Sequence, residues 1–233
     1  MNKYSKAYFI LAAAFVLLFI GNLVYGAVNI PAGQIFGILL GNGSEKESWD
    51  MIVLNSRLPQ CITALLAGAG LAISGLLLQT LFRNPLAGPS ILGISDGANL
   101  GVAVIMLYAG GLAGNITGGA YFSMIMAALA GSLAVLSLII YFSRKVRSNV
   151  MLLIIGIMIG YLASSVISIL NYHAAADKVH QFVMWGMGDF TGVSVEKLPY
   201  FAFFTIAGLI YSLLLIKPLN ALLWERCTQP ILE

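Results

Sequence analysis

The sequence predicts an all-α fold, a polytopic membrane helix bundle, on two observations: its composition and the length of its apolar segments. Of the 233 residues, 60% are hydrophobic and only 9% are charged, and the mean hydropathy is +0.93. A soluble domain is typically about 45–50% apolar and about 25% charged. Because this chain has too few charged residues to cover a water-exposed surface, its composition excludes an ordinary soluble enzyme and a disordered chain.

Six apolar segments reach or approach the length of about 20 residues that a membrane-spanning helix needs. We therefore expect a single transmembrane domain over residues 1–233. The predicted spans are residues 7–28, 59–82, 91–108, 120–142, 150–172 and 198–216.

The first three segments differ in how clearly they are bounded. Residues 7–28 carry no charge and exceed the about 7–15 residues of a signal-peptide core, so we interpret them as a span. Pro59 suits the first turn of the second span, since its missing N–H costs nothing there. Asp96 stands near the start of the third, and we expect its carboxylate to cap a helix N-terminus rather than to relay protons.

The last three segments carry no charge, and small residues recur at every fourth position in two of the predicted spans. Such stripes let helix backbones approach closely, which favours association in lipid. They predict a compact bundle but are common in polytopic proteins. The stripes are Ala64, Gly68 and Ala72 in the second span, and Gly156, Gly160, Ser164 and Ser168 in the fifth.

The lysine and arginine residues predict a cytoplasmic N-terminus. Basic residues are more frequent in cytoplasmic loops than in external ones. A cytoplasmic N-terminus puts the basic loop at residues 144–147 inside, together with most other basic residues, and six spans return the C-terminus to the same side. The basic residues left outside are Lys46, Arg57, Lys178 and Lys197.

Candidate catalytic and metal-binding groups are missing from the predicted spans. Cys61, Cys227, His173 and His180 are the only cysteines and histidines, and no ligand cluster surrounds them. No Ser/His/Asp or paired-carboxylate arrangement lies in the spans, so we expect no catalytic residue, no metal site and no cofactor. The net charge of +3 is too small for a nucleic-acid surface. The scarcity of charges in the spans argues against an ion-coupled carrier.

The most specific pattern lies between the second and third spans. It begins with Arg57-Leu58-Pro59-Gln60, continues through residues 68–75 and Gln79, and reaches Arg83-Asn84-Pro85-Leu86-Ala87. Asn84-Pro85 ends a helix and starts a turn. We predict a rigid, irregular turn at the inner mouth of the bundle, since irregular backbone is tolerated at membrane depth where it is buried in protein or lines a cavity.

This stretch resembles the FecCD-type permeases, the membrane subunits of ABC importers for iron–siderophore complexes, haem and vitamin B12. The family pattern is close to R-L-P-R, then G-A-x-L-A-x-S-G, Q and N-P-L-A-x-P-x-x-L-G. Further matches lie at residues 152–160, 185–190 and 217–222, so the resemblance covers nearly the whole chain. It implies a permease fold of ten helices, a multi-pass location in the bacterial plasma (inner) membrane, and no enzymatic activity, because ATP is hydrolysed by separate subunits.

The resemblance implies functional residues at both ends of a translocation pathway. It assigns Arg57 to a docking contact with carboxylates of a binding protein, although a rim arginine otherwise serves as an interfacial anchor. It assigns Asn84 and Leu86, with Ser148 and Asn149, to a cytoplasmic gate. From the residues alone, Asn84 is a turn former, and Ser148 and Asn149 form a helix N-cap.

A third set of residues lies in the predicted loop before the last span. Trp185, Gly188 and Phe190 match a short outer helix near the entrance of the pathway, and the alternative is interfacial anchoring by the aromatic rings. The implied partners are a second permease subunit, ABC ATPase subunits, an extracytoplasmic substrate-binding protein, the metal chelate and the lipid bilayer. No nucleic acid is expected.

Two departures from the family pattern limit what the resemblance implies. Gln60 replaces the second arginine of R-L-P-R, which would weaken docking, and the match decays after Leu222. The decay predicts a C-terminally truncated permease that does not transport by itself. The leading hypothesis is a permease subunit that forms the pathway for a metal chelate. The alternatives are a non-functional fragment of such a permease and an integral membrane enzyme.

Overall fold

The helices form the bulk of the chain in a computed structural model, which describes residues 3–108, 118–146, 148–188, 190 and 192–221. No strand occurs among these residues, and the predicted all-α fold is confirmed. In chain order the helices are α1 (Lys3–Val24), α2 (Ala32–Leu39), α3 (Glu47–Ile52), a π-helical segment (Val53–Arg57), α4 (Leu58–Phe82), α5 (Ile94–Ala103), a second π-helical segment (Val104–Tyr108), α6 (Gly118–Ser143), α7 (Asn149–His173), α8 (Ala176–Gly186) and α9 (Leu198–Leu214).

Five helical stretches in the described part of the chain are long and apolar enough to cross a membrane. They confirm five of the six predicted spans. The second extends beyond its prediction, because α3, the first π-helical segment and α4 run on as one helix. The five stretches are Ser5–Val24, Glu47–Phe82, Phe122–Ser143, Asn149–His173 and Leu198–Ala221.

The third predicted span, residues 91–108, is not among these five stretches. The described helix there is α5, ten residues long, continued by the five-residue π-helical segment Val104–Tyr108. A full span needs about 20 residues, and the residues that follow Tyr108 lie outside the described part of the chain, so the third span stays a prediction. Turns occupy the residues before Gly93, and Gly93 has a φ of +72°, which favours glycine and fixes the start of α5.

The chain divides into two compact units, Met1–Gly70 with Phe190–Leu213, and Leu71–Asp189 with Leu214–Glu233. In the core of the first unit, the end of α1 packs with α2, with the first π-helical segment and with the first turn of α4. Its buried members are Leu23, Ile30, Ile35, Ile38, Val53 and Cys61.

In the second unit, α5 packs against both α6 and α7. Glycines permit this approach, because a Cβ on Gly131 of α6 would lie 2.0 Å from the carbonyl oxygen of Gly97, and one on Gly156 of α7 would lie 2.8 Å from Leu92 Cα. The glycines of the α7 stripe, Gly156 and Gly160, therefore pack as the sequence predicts, whereas Ser164 and Ser168 are exposed. At Gly68 of α4, by contrast, no described atom lies within 4 Å of an added Cβ.

Candidate functional site

Arg57 is the last residue of the first π-helical segment and directly precedes α4. The residue is only 6% exposed. Its Nη1 donates hydrogen bonds of 2.9 Å to the carbonyl oxygens of Leu23 and of Val24, and its Nη2 donates to the carbonyl of Val28. The last carbonyls of an α-helix have no partner within that helix, so the guanidinium group caps the end of α1.

Gly26 leaves the space that the guanidinium group fills. A Cβ at this position would lie 2.8 Å from Arg57 Nη2 and 2.9 Å from both Cζ and Nε. The φ of Gly26 is outside the left-handed region, so its backbone alone does not require glycine. The contact with Arg57 therefore accounts for the absence of a side chain at residue 26.

Neighbouring polar groups at this end of α4 bond locally. The Cys61 thiol donates to Asn22 Oδ1 at 3.2 Å, which adds a second link between α4 and α1. Gln60, which stands where the family has its second arginine, donates from Nε2 to Ser56 Oγ at 3.0 Å within its own helix. Gln60 thus has a hydrogen-bond partner inside the chain.

The geometry at Arg57 differs from the exposed rim position that the sequence suggests. The guanidinium group points toward α1, and its role in docking stays a prediction. Sequence reasoning missed Gly26 as its partner. A signal was present, because a glycine one or two residues beyond a helix end is typical of C-terminal caps, but the predicted span ran on to residue 28.

Side-chain hydrogen bonds stabilise the turn after α4. α4 ends at Phe82, and Arg83 then takes a φ of +50°. Asn84 Oδ1 accepts from the Leu86 N–H at 2.9 Å, and Gln79 Nε2 donates to the Pro85 carbonyl at 3.0 Å. The irregular turn that the sequence predicts is therefore present, with Asn84 as its former.

Asn84 and Leu86 lie on the turn, and Ser148 and Asn149 lie at the start of α7; both pairs are close in sequence to members of one hydrophobic cluster. Ala87 and Leu92 from the turn region pack there with Leu152 and Leu153 from the first turns of α7; the other buried members are Phe82, Val135 and Ile139. Leu86 itself is exposed.

Ser148 caps the N-terminus of α7, as the residues alone predict. Its extended backbone precedes the helix, and its Oγ accepts from the Met151 N–H at 3.5 Å. Asn149 is the first residue of α7, and both side chains are exposed. The four predicted gate residues thus lie on two segments whose neighbours pack in one cluster, and their gating role stays a prediction.

A short helix, α8, lies in the connection between α7 and α9 and packs against the second π-helical segment. The rings of Phe182 and Trp185 stack with their centroids 6.4 Å apart. Gly188 follows with a φ of +78°, which turns the chain after the helix, and Phe190 is exposed. Of the three predicted residues only Trp185 lies in α8, which ends at Gly186, so the match of this segment to a short outer helix at an entrance stays a prediction.

Asp96 is the one carboxylate that the sequence places in a span, and it lies in the first turn of α5. Its Oδ2 would be 2.5 Å from a Cβ on Gly160 of α7, so the carboxylate fills the space of that missing side chain. Among the described residues, no three His, Cys, Asp or Glu side chains are grouped to hold a metal ion. Cys227 and the divergence after Leu222 lie outside those residues.

Comparison with known proteins finds relatives over nearly the whole chain. The hemin transport system permease protein HmuU of Yersinia pestis is 34% identical over 91% of this chain, and the molybdate import system permease protein MolB of Haemophilus influenzae is 34% identical over 86%. The vitamin B12 import system permease protein BtuC of Salmonella paratyphi A is 34% identical over 78%. The chain spans 63%, 58% and 50% of the lengths of these relatives, respectively.

The fold is also found among solved structures. An ABC transporter assigned to the metal-chelate type, in an inward-facing conformation, superposes with a TM-score of 0.72 and is 28% identical. The alignment covers 98% of this chain and 68% of that one. The profile of the FecCD transport family matches residues 14–228, which include the second half of α1 and every later helix. The chain therefore belongs to the FecCD transport family.

Proposed function

We propose that this chain is a transmembrane permease subunit of an ABC importer and forms part of the pathway for a metal chelate, an iron–siderophore, haem or cobalamin. The observation that carries the proposal is the family match over residues 14–228, which coincides with the apolar helices. The relatives named for hemin and vitamin B12 support this substrate class. The relative named for molybdate makes an oxyanion the second candidate.

The proposal includes the partners that such a subunit needs. The chelate arrives from an extracytoplasmic binding protein, a second permease subunit completes the pathway, and separate ABC ATPase subunits supply the energy. Intramembrane titratable groups are the usual markers of ion coupling. Asp96, the one carboxylate in the six spans predicted from the sequence, lies in the first turn of α5, at a helix start, which supports an external energy source.

The two ends of the described helices receive different roles in this proposal. Asn84, Leu86, Ser148 and Asn149 border the cytoplasmic exit, and the capped start of α7 with the hydrogen-bonded turn supports a rigid constriction there. The N-terminus is cytoplasmic, which is supported by the basic loop at residues 144–147.

The residues near Trp185, Gly188 and Phe190 belong to the outer entrance in this proposal. The support is that Trp185 and Phe190 are both exposed. In addition, the ring of Phe182 stacks on that of Trp185. The binding protein docks on the same outer side. In this proposal Arg57 is the docking contact on that side, and its guanidinium group also bonds the end of α1.

Co-purification tests the assignment to an ABC importer. The chain is tagged in its native membrane, cross-linked mildly and extracted in detergent. We expect an ABC ATPase subunit to be recovered with it, and ATPase activity in the eluate that a catalytic-site variant of that ATPase abolishes. Recovery of the chain with no ATPase subunit, at a cross-linking level that captures known membrane complexes, would contradict the proposal.

A further inference from the structure

The burial of Arg57 needs a physical explanation. An ionised group transferred out of water costs several kcal/mol unless hydrogen bonds and opposite charge compensate it. Here the recorded acceptors are three backbone carbonyls, from Leu23, Val24 and Val28. The C-terminal end of a helix carries a partial negative charge, so the end of α1 supplies both the acceptors and the electrostatic compensation.

The guanidinium group joins segments that are distant in sequence. Leu23 and Val24 belong to the last turn of α1, whereas Val28 lies in the connection to α2, and Arg57 lies 29 to 34 residues further along the chain. Leu23, which carries the first bonded carbonyl, and Ile30, which follows the last one, are buried in the core of the first unit together with Val53. The connection between α1 and α2 is therefore attached to the outer end of the α4 helix at both of its ends.

The π-helical segment explains how Arg57 reaches α1. A π-turn inserts an extra residue into a helix and rotates the residues that precede it relative to those that follow. Val53, fully buried at 0% exposure, and Arg57 begin and end this segment and are both directed into the first unit. The segment thus sets the direction of the arginine side chain.

We infer that Arg57 is a positioning residue whose guanidinium group, seated against Gly26, ends α1 and fixes the connection at residues 25–28 to the outer end of the α4 helix. The inference concerns the chain alone and does not depend on the proposed function, so either can fail without the other.

The native thiol of Cys61 reports on this contact. Cys61 is 2% exposed, lies one helical turn beyond Arg57, and is bonded to Asn22 of α1. When the attachment of α1 opens, this thiol becomes accessible to a maleimide, because α1 covers it. Cys227 is replaced by Ser in every variant so that Cys61 is the only reactive thiol.

The test compares Arg57→Gln, Gly26→Ala and the double variant, with Gly33→Ala as the matched control. Gly33 has no described atom within 4 Å of an added Cβ, whereas the Cβ of Gly26→Ala would overlap the guanidinium group. We expect Arg57→Gln and Gly26→Ala each to raise the rate of Cys61 modification in detergent by about tenfold, through easier local opening. The double variant should be no faster than the faster single variant, because both remove one contact.

Arg57→Lys keeps the positive charge but loses the planar fork that reaches several carbonyls. We expect it to resemble Arg57→Gln in the labelling assay, which separates geometry from charge. Gly33→Ala should match the parent. The inference is overturned if Gly26→Ala labels at the parental rate, if the effects of Arg57→Gln and Gly26→Ala multiply, or if Arg57→Lys behaves like the parent.

Discussion

At the scale of single residues, two neighbouring glycines of α7 face different kinds of atoms. A Cβ on Gly156 would meet the backbone of Leu92 at 2.8 Å, whereas a Cβ on Gly160 would meet the carboxylate end of Asp96 at 2.5 Å. The backbone of Leu92 can move away only if the turn before α5 shifts, whereas the carboxylate of Asp96 can rotate about its side-chain bonds. The two substitutions therefore have different costs even though the glycines lie one turn apart.

We expect Gly156→Ala to lower the free energy of unfolding by about 1–3 kcal/mol, the usual cost of overpacking. Gly160→Ala should cost clearly less, because Asp96 can change rotamer. Gly75→Ala, where an added Cβ has no described neighbour within 4 Å, is the control. Thermal unfolding of the purified protein in detergent measures all three. Equal losses for Gly156→Ala and Gly160→Ala would contradict the distinction between backbone and side chain.

Local residue roles could be predicted from the sequence, whereas distant contacts could not. Ser148 follows a basic loop and precedes an apolar run, so its N-cap role was visible, and so was the turn at Asn84. The inward direction of Arg57 was not, because its acceptors lie about 30 residues away and the π-helical segment that directs it leaves no recognisable mark. A charged residue at a predicted helix rim is more often exposed.

At the scale of elements, the turn between α4 and α5 depends on one side-chain acceptor. Asn84 Oδ1 accepts from the Leu86 N–H and thereby closes the turn next to Pro85. The same turn places Ala87 in the buried cluster with Leu152 and Leu153 of α7. The hydrogen bond thus connects a local motif to the packing of two helices.

Asn84→Ala should lower the free energy of unfolding by about 1 kcal/mol, the usual net value of such a hydrogen bond. Asn84→Asp retains an oxygen acceptor at the same place and should recover most of that loss. Thermal unfolding at neutral pH measures both variants against the parent. If Asn84→Asp is as destabilised as Asn84→Ala, the acceptor is not the important feature of this side chain.

Element boundaries were predicted where apolar runs end in charges, and were missed where tertiary contacts end a helix. α6 ends at Ser143, directly before the basic loop, close to its prediction. α1 ends at Val24 rather than at residue 28, because Arg57 bonds the carbonyls of its last turn. The helix in the third predicted span begins at Ile94 rather than at residue 91, because residues 91–93 form a turn although Ile91 and Leu92 are apolar.

At the scale of the whole molecule, the all-α membrane fold and the family follow from composition and motif, and both are confirmed. The direction of insertion remains a proposal that rests on the basic residues. Single cysteines at Asn42 and at Lys145, in a background with Cys61→Ser and Cys227→Ser, report on it, since both positions are exposed. A membrane-impermeant maleimide should label residue 42 in intact cells and residue 145 only after permeabilisation. The reverse pattern would invert the orientation.

Energised uptake tests the central claim most directly. Three strains are compared, all in a background without other chelate importers. The first makes this chain, the second lacks its coding segment, and the third lacks the segment at its locus but carries it on a plasmid. Radiolabelled haem, cobalamin, a ferric siderophore and molybdate serve as probes. We expect deletion to abolish ATP-dependent uptake of one metal chelate. Restoration of that uptake by the returned segment alone would contradict the expectation from the sequence that this chain does not transport by itself. Loss of molybdate uptake alone would move the substrate class to oxyanions, and unchanged uptake of all four probes would contradict the permease assignment.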